Sequence, residues 1–107
     1  MEVGQIWNEI GKLKGRTLKT LDRQKPFTVV AVTYDKVTVV PQSTGKERPI
    51  PREGVENAYR HLMVTGRLTL TEIENDFAPR NPVYVAAILT ELPGVTYKYK
   101  PIRLYRS

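Results

Sequence analysis

The end of the sequence sets three tyrosines among four cations, as Tyr97, Lys98, Tyr99, Lys100, Arg103, Tyr105 and Arg106. Aromatic rings stack on flat π systems such as nucleobases, and ammonium and guanidinium groups pair with phosphate oxygens, so this interleaving suits a polyanion that also carries rings. The same alternation is compatible with tyrosines packed on a core while the cations stay in water. A second concentration of cations, Lys12, Lys14, Arg16, Lys19, Arg23 and Lys25, contains a single acid, Asp22.

Other residues invite chemistry and fall short of it. Ser43-Thr44-Gly45-Lys46 resembles the end of a phosphate-binding loop, but Val40 stands where that motif needs glycine and Glu47 where it needs Ser or Thr. It reads as a polar hairpin turn, near which Lys46, Arg48 and Arg52 can form a local anion patch. His61 is the only histidine, and the scattered carboxylates around it lack metal-ligand spacing. Glu72, Glu74 and Asp76 do not share one helical face, and complement the positive end of a short helix instead. Cysteine is absent, which removes disulfides, thiolate nucleophiles and cysteine-based metal centres together. No nucleophile, base and orienting group can be assembled, so no catalytic residue, metal or cofactor is expected.

Charge points the same way. The chain of 107 residues carries 17 Lys and Arg against 11 Asp and Glu, a formal net charge of +6. The excess lies at the two ends: residues 1–25 carry six basic and three acidic groups, and residues 80–107 carry five and one. Residues 26–79, with six and seven, are almost neutral. Such asymmetry suits a polyanionic partner. The longest apolar run, Val83 to Leu89, is too short for a bilayer, and no signal segment opens the sequence, so a cytoplasmic protein without a membrane partner is expected.

These groups need elements to position them. Ile6, Trp7, Ile10 and Leu13 recur at helical spacing, which predicts a helix over 3–14 ended by Gly15. Lys14 to Lys25 reads as a solvated basic connection with a short extended piece around Leu18 to Leu21. Phe27 to Thr33 and Val37 to Val40 are β-branched runs separated by the turn-sized Tyr34-Asp35-Lys36, a β-hairpin, and Glu47 to Ile50 adds an edge strand that tolerates Pro49. From Pro51 to Val64, Val55, Ala58, Tyr59, Leu62 and Met63 form one helical face, and Gly66 ends the helix. Thr71 is the expected N-cap of a short helix, and Asn81-Pro82 opens another that turns Val85, Ile88, Leu89 and Leu92 inward. The tail from Val95 alternates as a twisted hairpin.

The expected fold is α+β in a single domain. An N-terminal helix and small antiparallel sheet (1–50) pack against a three-helix unit with a terminal hairpin (51–107). Residues 55–107 resemble a winged helix-turn-helix domain, on the element order, the Gly66-x-Leu68-Thr69-x-x-Glu72-Ile73 run and the Leu-Pro-Gly-Val exit of the last helix. The resemblance implies that the last helix enters the major groove of duplex DNA, led by Arg80, Asn81 and Tyr84, while Lys98, Lys100, Arg103 and Arg106 of the wing hold phosphates. Lys12, Lys14, Arg16 and Lys19 would extend that grip. The outward face implied for the helix, Tyr84, Ala87 and Glu91, is poor in cations, which favours backbone binding over sequence reading. A protein-docking module or inhibitor using Tyr84, Ala87 and nearby apolar surface is the alternative.

Overall fold

The computed structural model describes residues 3–99 and 101–107. Helix α1 (Val3–Gly11) stops at the helix-weakening Gly11 and not at residue 14 as the spacing predicts. Tight turns carry the chain from there to Gly15, whose φ of 86° is left-handed and whose N–H donates to Val29 O at 2.7 Å. Trp7 shows why α1 sits where it does: its indole N–H donates to Thr33 O at 2.7 Å, pinning the helix to the neighbouring hairpin.

Four strands follow in sequence and in space: β1 (Thr17–Lys19), β2 (Pro26–Val32), β3 (Lys36–Pro41) and β4 (Arg48–Pro51), an antiparallel sheet of order β1-β2-β3-β4. The expected hairpin is β2–β3, with a register irregularity between Val29 and Ala31, and the expected edge strand is β4. The basic connection is not simply solvated. Leu18, Thr20 and Leu21 are buried, and β1 joins the sheet by pairing Leu18 with Phe27.

Helix α2 (Arg52–Thr65) buries Val55, Ala58, Tyr59 and Leu62 and ends on Gly66, at φ 84°, whose N–H donates to Leu62 O at 2.8 Å. Strand β5 (Arg67–Thr69) leads into the single turn α3 (Leu70–Glu72) and a π turn (Ile73–Phe77). The N-cap is Thr69, not Thr71. Its hydroxyl accepts from the Glu72 N–H at 3.1 Å while Glu72 Oε1 accepts from the Thr69 N–H at 2.9 Å, a reciprocal capping box. Gly54 of α2 lies so close to the carbonyl of Phe77 that a side chain there would collide with backbone.

Helix α4 (Pro82–Thr90) and strands β6 (Val95–Lys98) and β7 (Arg103–Arg106) complete the chain. The second sheet has the order β5-β7-β6, all antiparallel. Buried side chains from both sheets and from α1, α2 and α4 form one cluster, including Ile6, Phe27, Tyr59, Leu68, Ile88 and Leu104. The expected α+β class is therefore correct, and among the described residues no helix is long and apolar enough to cross a membrane.

One expectation is overturned here. The face of α4 carrying Tyr84 and Ala87 does not point outward: Ala87 is 2% exposed, Tyr84 packs edge-on against Phe27 of β2 with ring centroids 5.1 Å apart, and no residue of α4 is fully exposed. The reason is that the first sheet lays β1 and β2 over the side of α4 that the resemblance leaves open. Val83-Tyr84-Val85-Ala86-Ala87-Ile88-Leu89 is apolar all round, as an enclosed helix must be.

Candidate nucleic-acid interface

The second sheet buries one face and exposes the other. Strand alternation turns Leu68 and Leu104 into the core. Cross-strand register then fixes what lies opposite: Arg67 pairs with Tyr105, Thr69 with Arg103, Thr96 with Tyr105 and Lys98 with Arg103. Three cations thus surround one tyrosine. Lys98 Nζ lies 5.8 Å and Arg103 Cζ 6.0 Å from the centre of the Tyr105 ring. No residue of β5, β6 or β7 is acidic, and Arg103 Nε is buried with no hydrogen-bond partner. Positive charge on this face is therefore uncompensated within the sheet.

At its edge the face meets a cleft of about 430 Å³ lined by His61, Thr65, Arg67, Glu72 and Tyr105. His61 Nε2 and Glu72 Oε2 share a hydrogen bond at 3.1 Å, so the histidine has a partner that its sequence neighbours do not reveal. The hydrogen bond from the Thr69 backbone, aided by the Thr69 hydroxyl and by attraction to His61, outweighs partial desolvation and holds the Glu72 carboxyl below its ordinary range.

A second region joins the two ends of the chain. A cleft of about 360 Å³ is lined by Arg16 and Lys19 beside β1, by Thr90 and Glu91 at the end of α4, and by Gln24 and Tyr97. Two contacts close its sides: Arg16 donates to Glu91 Oε1 at 3.1 Å, and Gln24 Nε2 donates to Tyr99 Oη at 3.2 Å. Tyr97 and Tyr99 meet edge to face, 5.4 Å between centroids, and remain 39% and 48% exposed. The Tyr99 phenol is raised from its ordinary value, chiefly by its hydrogen bond to Tyr97. Tyr99 therefore stays neutral at physiological pH, and both tyrosines offer open ring surface.

The remaining expected residues scatter. Arg80 is exposed and lines a cleft with Lys46 and Arg48, whereas Arg52, expected in that patch, stacks between Trp7 and Tyr34 and pairs with Glu56 at 3.1 Å. Asn81 is only 9% exposed and its Oδ1 accepts from Arg48 at 3.4 Å, and Tyr84 lies under the same guanidinium. Neither leads an open recognition helix. Arg106 turns back to donate to Met63 O beside Gly66. Lys12 pairs with Glu9 at 3.0 Å, Lys14 is exposed, and Lys100 lies outside the described residues. The docking surface expected from Tyr84 and Ala87 is also absent, since β1 and β2 occupy it.

Sequence reasoning missed Arg67, because its place on the same face as Arg103 depends on β5 pairing with β7. Comparison of the chain with protein-family models, with curated proteins and with solved structures finds no match.

Proposed function

We propose that this protein is a non-catalytic nucleic-acid-binding module whose second half is arranged as a winged helix, and that it grips the sugar–phosphate backbone with its second sheet and not with α4. The observation that carries this reading is the outer face of β5-β7-β6: Arg67, Lys98 and Arg103 around Tyr105, on strands without a carboxylate. The succession α2, β5, α3, α4, β6, β7 with sheet order β5-β7-β6 supports the winged-helix arrangement, with β6–β7 as the wing. That no residue of α4 is fully exposed favours backbone binding over base-edge reading in the major groove. Exposed tyrosines next to cations favour unpaired strands, whose bases have free π faces.

Titration of labelled single-stranded DNA, single-stranded RNA and duplex at several salt concentrations tests this. Single strands should bind best, with affinity falling as salt rises. Replacing Lys98 and Arg103 by Ala should shrink the logarithmic salt slope by about 0.7 for each phosphate contact removed from a single strand. Failure of all three nucleic acids to bind at low salt would overturn the reading.

A further inference from the structure

The cleft between β1 and β6 differs in kind from the cationic sheet face. It contains a carboxylate, an amide and an aromatic ring, and its volume of about 360 Å³ falls within the span of small-molecule sites, about 300–1,000 Å³. Phosphate alone does not call for such a lining, because Glu91 would repel it. We infer that this cleft accepts a single unpaired guanine base, stacked on Tyr97 and hydrogen-bonded along its Watson–Crick edge by Glu91; the inference rests on the nucleic-acid reading above.

The chemistry selects the base. An ionised carboxylate only accepts hydrogen bonds. Guanine offers a ring N–H and an exocyclic amino group side by side, which match the two oxygens of one carboxylate. Adenine and cytosine set an acceptor beside their amino group, and thymine and uracil flank their one N–H with carbonyls, so each would turn a lone pair toward Glu91. Arg16 fixes the carboxylate through the 3.1 Å contact to Oε1 and so limits the orientations it can adopt. Gln24 holds Tyr99, which in turn meets Tyr97 edge to face, so the ring available for stacking is restrained. Lys19, exposed at the same cleft, supplies a cation for the phosphate of the bound nucleotide. Only a base free of its complement can present this edge, which agrees with preference for single strands.

The test compares short thymine strands carrying at one central position a guanine, a thymine or an abasic site. Wild-type protein should bind the guanine strand about tenfold more tightly than the other two, the discrimination expected of one well-made bidentate contact. Glu91→Gln should abolish that ratio, so that the guanine strand binds no better than the abasic one, and Tyr97→Leu should weaken the guanine strand selectively. Replacing Lys98 and Arg103 by Ala should weaken every strand and preserve the ratio, which separates this site from the sheet face. Equal binding of the three strands by wild-type protein would overturn the proposal while leaving backbone binding intact. Should no strand bind, titration with guanosine monophosphate decides independently: amide shifts at Lys19, Thr90 and Tyr97 support the site, and their absence at millimolar nucleotide ends it.

Discussion

Helices α2 and α4 lie in the same half of the chain and have opposite surroundings. Helix α2 has one buried face, Val55, Ala58, Tyr59 and Leu62, and keeps Glu53, Arg60 and Val64 in water. Helix α4 buries Val85, Ala86, Ala87, Ile88 and Leu89 in succession, so no single side of it is left for solvent. An amphipathic helix can lend its polar side to a partner; a helix apolar all round has spent every side on packing. The lesson is that element order alone does not locate a binding surface. In this chain the first sheet covers the helix that a winged arrangement would offer to DNA, and the proposed grip falls to Arg67, Lys98 and Arg103 of the second sheet.

Two substitutions to lysine expose the contrast most strongly. Ala87→Lys puts a charge where β1 and β2 cover α4, and should destabilise the protein by about 3–5 kcal/mol, the scale of an uncompensated buried charge. Val64→Lys lies on the outer side of α2, at a position 76% exposed, and should change stability by less than about 0.5 kcal/mol. Urea denaturation of the pair measures both. If Ala87→Lys folds with unchanged stability and binds duplex DNA more tightly, α4 is open after all and the contrast is lost.

How far the sequence discloses this arrangement varies by element. The β2–β3 hairpin is legible because Phe27 to Thr33 and Val37 to Val40 are dense in β-branched residues. Helix α2 is legible from its apolar period and Gly66. Strand β1 is hard to see because Thr17-Leu18-Lys19 has one apolar residue, and its extended state comes from pairing with β2 rather than from its own preference. Thr71 is displaced as cap by Thr69: both have a Glu three residues later, Glu74 and Glu72, but it is Thr69 that closes the reciprocal capping box, with Glu72. For the candidate site, Lys98 and Arg103 follow from alternation in the tail, but Arg67 depends on β5 pairing with β7, a contact over more than thirty residues of sequence. The enclosure of α4 was written in its uninterrupted apolar run; the resemblance obscured it by assigning that helix an open side.

The two helix starts in this half sharpen the comparison at a smaller scale. Asn81 precedes α4 with no side-chain capping bond, its Oδ1 being directed to Arg48, whereas Thr69 caps α3 reciprocally with Glu72. Thr69→Ala should therefore cost about 1 kcal/mol, the usual value of a side-chain N-cap. Asn81→Ala should lose no capping energy and show instead a loosened Arg48. Thermal unfolding of both variants, with the Arg48 side-chain resonances followed by NMR, distinguishes the two effects. Equal losses at the two positions would mean that Asn81 caps α4 in solution.

The smallest effect is also the one with a definite sign in pH. The Glu72 carboxyl is lowered in the folded protein, first by the Thr69 backbone hydrogen bond, then by the Thr69 hydroxyl and His61, against a partial desolvation that raises it. A group lowered on folding stabilises the native state above its unfolded value, about 4.3 for Glu, and that stabilisation fades as pH falls through the lower folded value. Wild-type protein should accordingly lose stability more steeply than Glu72→Gln between neutral and strongly acidic solution, and the two curves should converge once the carboxyl is protonated in both states. Helix α4 has no acidic residue within its span, whereas the Glu72 contribution arises where β5 meets α3. A difference between wild type and variant that stays constant down to the lowest pH would show that the carboxylate's charge contributes nothing, and that the capping box acts through shape and neutral hydrogen bonding alone.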